Sequence, residues 1–200
     1  MDLIIIRHAR PARQELAEGE GAADPELTDQ GHAQARATGQ FLHDAGIHHV
    51  AASPMNRARQ TAEPLAELLR LDIELVEGLK EVDHHSSSYI PGEELTEDHE
   101  QFRIFSEDPM ALFDGVGGYD VFRDDVVNAF EHLIASNRGR TVAAFCHGMV
   151  TSVYLQSILG HPDPYKMTPD YCGITRVRAS STGIRSPYGP AAKERWRSTS

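Results

Sequence analysis

The sequence predicts a three-layer α/β/α sandwich around a mostly parallel sheet, and three observations carry that reading. Short apolar runs recur, namely Leu3-Ile4-Ile5-Ile6, Val50-Ala51-Ala52 and Val142-Ala143-Ala144-Phe145-Cys146. Unbroken runs of this kind mark strands buried on both faces. These strands alternate with helical segments, as parallel βαβ units require. Each run also delivers an arginine or a histidine just past its C-terminal end: Arg7-His8, then Arg57 shortly after Ser53-Pro54, then His147-Gly148. In open α/β sheets ligands bind at that edge, so the implied ligand is an anion, with phosphate the best fit.

In chain order, residues 3–6 form the first strand, too short an apolar run for a secretion signal or a membrane span. Thr28-Asp29-Gln30-Gly31 supplies a helix start. Ala33, Ala37, Phe41 and Leu42 then follow at helical spacing up to Gly46, which predicts a helix over 29–45. Residues 50–53 are a short buried strand. A second helix follows over 57–69, where Pro64 removes a backbone donor and is expected to break or kink it. Ile73-Glu74-Leu75-Val76 alternates like an edge or half-buried strand. After Gly78 the pattern turns irregular, with a polar loop through His84-His85-Ser86-Ser87-Ser88 and Pro91-Gly92 leading into acidic helical segments. Phe122, Val126, Ala129, Phe130 and Leu133 define the apolar face of a helix over 121–136. A strand over 141–146, a helix over 149–159 and a last strand over 174–178 complete the pattern. The whole chain, 1–200, reads as one domain without internal repeats, and its Gly-, Pro- and Ser-rich end makes 180–200 a candidate flexible tail.

A chain of 200 residues can bury roughly 70% of its unfolded surface in a single core. It therefore needs no disulfide framework, and its two cysteines, Cys146 and Cys172, fit a reducing compartment. A soluble cytoplasmic protein with no membrane partner is expected. The formal net charge of −11 argues against nucleic acid, whose backbone demands a basic face. A small phosphorylated substrate is compatible with it, because a few buried arginines focus positive potential locally. Monomer and dimer are both compatible with the sequence.

Several routes to phosphate chemistry are excluded by motif. No G-x-x-x-x-G-K-[ST] loop is present, which removes the P-loop reading. Cys146 follows a strand as a thiolate nucleophile would, but Ser152 stands where a cysteine phosphatase needs its arginine. No H-E-x-x-H occurs, and the pairs His48-His49 and His84-His85 lack the spacing that places two metal ligands on one helix face. Neither a metal nor an organic cofactor is implied.

Arg7-His8-Ala9, Leu27-Thr28-x-x-Gly31, Ser53-Pro54-x-x-Arg57-Ala58-x-Gln60-Thr61, Glu81 and Cys146-His147-Gly148 together resemble the histidine phosphatase superfamily, the phosphoglycerate mutase-like proteins. Five elements in the right order, spread over about residues 2–178, make a specific match. The resemblance implies the phosphoglycerate mutase-like fold and a metal-independent phosphomonoesterase, with His8 attacking phosphorus to form a phosphohistidine. It also implies that Arg7, Arg57 and His147 surround the phosphoryl oxygens, where guanidinium forks match phosphate geometry. Glu81, in Leu79-Lys80-Glu81, would protonate the leaving alkoxide and then activate water. Asp83, Glu93 and Glu94 are its competitors for that role.

The chain also departs from the family pattern. Ala9 replaces the usual glycine after Arg-His, which adds a methyl group where backbone approaches closely. Arg10 either reaches a second anionic group of the substrate or is an ordinary surface arginine. Mutases of the family carry Glu-Arg-x-Tyr-Gly where this chain reads Glu81-Val82-Asp83-His84-His85. That favours hydrolysis over one alternative, a mutase-like phosphotransferase, while the intact set His8, Arg57, Glu81 and His147 speaks against the other, a non-catalytic phosphate-binding regulator for which Ala9 and the altered Glu81 surroundings leave room. Specificity is expected from the loop 83–118, where His84, His85, Tyr89 and the nearby acids suggest a polar substrate.

Overall fold

Residues 3–6 are fully buried because the strand they form lies inside a six-stranded sheet with helices on both faces. The computed structural model describes residues 1–17, 19–180, 183 and 185–188. Within these the strands are β1 (Asp2–Arg7), β2 (Gln14–Glu15), β3 (His49–Ala52), β4 (Ile73–Leu75), β5 (Ser88–Tyr89), β6 (Thr141–Cys146), β7 (Ile174–Ala179) and β8 (Arg185–Tyr188). The helices are α1 (Asp29–Leu42), α2 (Asn56–Leu69), α3 (Glu100–Glu107), α4 (Tyr119–Ser136) and α5 (Gly148–Leu159). The sheet runs in the order β4-β3-β6-β1-β7-β8. The four strands from β4 to β1 are parallel, whereas β7 and β8 join antiparallel.

The alternation of the pleat sorts the apolar residues into two cores. Leu3, Ile5, Val142 and Ala144 face α4 and α5, packing with Phe130, Leu133, Val150 and Val153. Ile4, Ile6, Ala143 and Phe145 face the other way, onto Leu42 of α1 and Ala62, Leu65 and Ala66 of α2. This is the expected three-layer sandwich. Among the described residues no helix is long and apolar enough to cross a membrane.

Two expectations are corrected. Pro64 does not break α2, which runs without interruption from Asn56 to Leu69. One missing donor is outweighed by burial of Ala58, Thr61, Ala62, Leu65 and Ala66 along the same helix, and Gly39 of α1 fits closely over the Pro64–Leu65 backbone. Nor is the strand after Gly173 the last. Arg185–Tyr188 adds β8 against β7, with Pro187 on the sheet edge where a missing donor is tolerated, and Arg185 forms an ion pair with Glu131 of α4. Within the candidate tail over 180–200, residues 185–188 form β8, while 181, 182, 184 and those from 189 on lie outside the described residues.

Parallel pairing in register, Arg7 beside Cys146 and Ala52 beside Phe145, makes three strands end together. His8, Ser53 and His147 leave the sheet at one edge as a result. The Leu27-Thr28-x-x-Gly31 element fixes the loop beyond His8. Thr28 caps α1 through the Gly31 N–H at 3.0 Å, and both its N–H and its hydroxyl donate to the Arg10 carbonyl at 3.1 Å. Any Cβ at position 31 would overlap that same carbonyl. Gly31→Ala is thus expected to destabilise the fold by roughly 2 kcal/mol, the cost of overpacking against backbone. Urea denaturation checks this, and an unchanged midpoint would mean the contact relaxes freely. The Ala9 methyl, by contrast, is accommodated in a small apolar cluster with Leu27 and Ala35.

Candidate active site

The His8 N–H still bonds the Cys146 carbonyl at 2.9 Å, so the sheet anchors the imidazole through its own main chain. Its Nδ1 lies 2.8 Å from the Ala9 carbonyl oxygen. A carbonyl can only accept, so Nδ1 carries the proton and Nε2 presents its lone pair. Burial, with Arg57 and Arg7 close by, holds the pKa of His8 well below the usual imidazole value. The ring is therefore neutral and oriented at pH 7.

Arg7 lies over the ring of Tyr171 at 4.5 Å and donates to the Pro169 carbonyl at 2.7 Å. Arg57 is fully buried at the start of α2, stacks on Tyr89 at 4.5 Å and donates to Asp83 at 2.9 Å. The two-residue pairing of β2 with β5 is what brings Tyr89 there. His147 caps α5 from a position just behind the cavity wall, its ring centre 5.1 Å from that of His8 and its Nε2 2.8 Å from the Ser53 hydroxyl. Gly148 packs beside the Arg7 guanidinium and closely under the Thr168 methyl, 3.0 Å from where a Cβ would stand. Four buried nitrogens, Arg7 Nε, Arg57 Nε and Nη1 and His147 Nδ1, have no hydrogen-bond partner among the described residues. Leaving a buried donor unpaired costs about 1–3 kcal/mol. A cluster of them is a feature of a site shaped for an acceptor-rich anion.

Glu81 reaches the same place from the loop after β4. Its two carboxyl oxygens accept the N–H groups of Val82 and Met149, each at 3.0 Å. Burial and the neighbouring Asp83 push its pKa up to about 7, against the lowering effect of those two N–H groups and of Arg57. Arg7, His8, Arg57, Glu81 and Asp83 line one cavity of about 230 Å³. Cys146 takes no part: it is buried in the core, its thiol pushed up to about 12.

Of the expected site residues, the fold gathers Arg7, His8, Arg57, Glu81 and His147. Arg10 lies outside the cavity wall, held by Glu93 at 2.8 Å, Glu94 at 2.9 Å and Gln30 at 3.2 Å. That pairing also removes Glu93 and Glu94 as competitors of Glu81. His84 and His85 do not line the cavity either. The first turns back to the Glu81 carbonyl at 2.7 Å and the second packs on Gly115. Sequence reasoning missed Tyr171, which backs Arg7, and the Ser53 hydroxyl that holds His147. Tyr171 carries no periodic or motif signal, whereas Ser53 stood within the Ser-Pro element.

A sheet edge that presents a neutral histidine between two arginines marks a class of phosphate-handling α/β proteins. The Histidine phosphatase superfamily (branch 1) model matches residues 3–186, and the chain belongs to that superfamily. It is 25% identical over 187 residues to the "Probable phosphoglycerate mutase GpmB" of Erwinia tasmaniensis, covering 88% of this chain and 84% of that one. Phosphoserine phosphatase 1 of Hydrogenobacter thermophilus is 27% identical over 160 residues, covering 79% and 76%. The expected phosphoglycerate mutase-like fold is shared with the phosphoserine phosphatase of Entamoeba histolytica, solved with phosphoserine. There the TM-score is 0.72 at 23% identity, over 94% of this chain and 95% of that one.

Proposed function

We propose that the chain is a metal-independent phosphomonoesterase that works through a phosphohistidine on His8. The observation that carries this reading is the free lone pair of a neutral, oriented His8 Nε2 beside unpartnered donors of Arg7, Arg57 and His147. In the first step Nε2 attacks phosphorus and the ester oxygen departs with the proton of Glu81. In the second, water attacks the phosphohistidine, returns a proton to Glu81 and releases inorganic phosphate. Charge on the transferring oxygens is met by the arginines. If the Ser53 hydroxyl donates to His147 Nε2, Nδ1–H is a further donor toward them. Val82 supplies an apolar wall where mutases of the family carry arginine, which supports water rather than a second hydroxyl as acceptor.

The test is release of phosphate from para-nitrophenyl phosphate in the presence of a chelator, with denaturing alkaline quenching and mass spectrometry of the His8 peptide. A phosphoryl group on His8, stable to alkali and labile to acid, is expected. Chelator-abolished turnover, or a phosphoryl group on another residue, would remove the proposal. Arg57→Ala is expected to lower kcat/KM by a hundredfold or more, about 3 kcal/mol, by analogy with loss of a transition-state donor. A change of less than tenfold would mean that Arg57 serves the fold rather than the phosphoryl group.

A further inference from the structure

Away from His8 the cavity changes character. Val82, Ile90, Leu95, Leu112 and Met149 form its wall together with the ring of Tyr165. Among the described residues the only cations lining it are Arg7 and Arg57, and the two remaining charged residues, Glu81 and Asp83, are both acids. The nearby Arg10, which could have received a second anion, is occupied by Glu93 and Glu94. A phosphorylated alcohol that also carries a carboxylate would meet apolar side chains and Asp83 rather than a cation. Such a ligand is phosphoserine, the one bound to the structural neighbour from Entamoeba histolytica.

We infer that the substrates are phosphomonoesters of apolar, uncharged alcohols, aryl or alkyl, and that esters of carboxylate-bearing alcohols are rejected. This rests on the phosphomonoesterase reading for the phosphate end. For the other end it follows from the wall alone. Each methylene moved from water into such a wall is worth about a fourfold gain in affinity. A carboxylate brought there loses its hydration without a cation among the described residues to pair with. Discrimination then comes from both an attractive surface and a repulsive one, the usual means of specificity.

Calorimetric titration of the unmodified protein with non-hydrolysable phosphonates tests the inference separately from turnover. Phenylphosphonate is expected to bind at least tenfold more tightly than methylphosphonate, and 3-phosphonopropionate more weakly than either. Equal or tighter binding of the carboxylated ligand would overturn the inference. Release of para-nitrophenolate is measured in the same preparation. Turnover without the binding preference defeats only this inference, whereas the preference without turnover supports it and defeats the hydrolase reading. Leu95→Arg, which sets a cation in the wall, is expected to raise affinity for 3-phosphonopropionate at least tenfold relative to phenylphosphonate. An unchanged ratio would mean that this wall does not face the alcohol.

Discussion

His8→Ala is expected to reduce turnover of every phosphomonoester by a factor on the order of 10⁴ or more, the scale seen when a covalent nucleophile is removed. The ring of His8 packs on those of His147 and Tyr171 at the sheet edge, outside the two main apolar cores. Its imidazole bonds only the carbonyl of the next residue, while the anchoring bond to Cys146 belongs to the main chain. Thermal stability is therefore expected to change little, and orthophosphate is expected still to bind through Arg7, Arg57 and His147. Those three measurements separate the roles. Lost turnover with retained phosphate binding supports a nucleophile, whereas turnover within tenfold of the unmodified protein would end the phosphohistidine proposal. Loss of phosphate binding would show instead that the ring helps to hold the anion.

How much of this was legible in the sequence depends on what sets each feature. The strands β1, β3 and β6 were readable because residues such as Ile4, Ala51 and Ala143 must be apolar on both faces of a covered parallel sheet. Once those strands are parallel and in register, the gathering of Arg7, His8 and His147 at one edge follows from chain direction alone. Thr28 and Gly31 were readable as a helix start, but their second task, holding the Arg10 carbonyl, is a contact between distant segments. Pro64 misled because local propensity was outweighed by burial along α2. Tyr171 and Tyr89, which back the two arginines, sit in a loop and in a two-residue strand, where there is no period to read. The histidines at 84 and 85 drew attention as polar residues near Glu81, yet side-chain direction in a loop is set by packing, and they turn away.

Glu81→Gln separates proton donation from the rest of the chemistry. Gln cannot give up a proton, so phosphorylation of His8 by an alkyl ester, whose alkoxide is a poor leaving group, is expected to slow by about 10³-fold. Para-nitrophenolate departs without help, and its burst phase is expected to slow by about tenfold or less. The later attack of water also loses its base, so the variant should accumulate phosphoenzyme with the aryl ester. Equal slowing of both bursts would assign Glu81 to positioning. The pH profile gives an independent reading. Glu81 must start protonated, and its pKa of about 7 places the loss of that form just above neutrality. His8, held well below its ordinary pKa, stays neutral across the same range. For alkyl esters, kcat/KM of the unmodified protein should therefore fall as pH rises through about 7, an effect absent from the variant. Linkage carries the same sign. A carboxyl whose pKa is raised on folding makes the native state bind more protons than the unfolded chain, so stability declines as pH climbs from the ordinary carboxyl range to about 7. Removing the group should flatten that decline, worth on the order of 3 kcal/mol, when denaturation of the two proteins is compared at pH 5 and pH 8. If both show the same pH dependence, Glu81 ionises normally in the folded protein and the acid role passes to Asp83, the other carboxyl of the cavity.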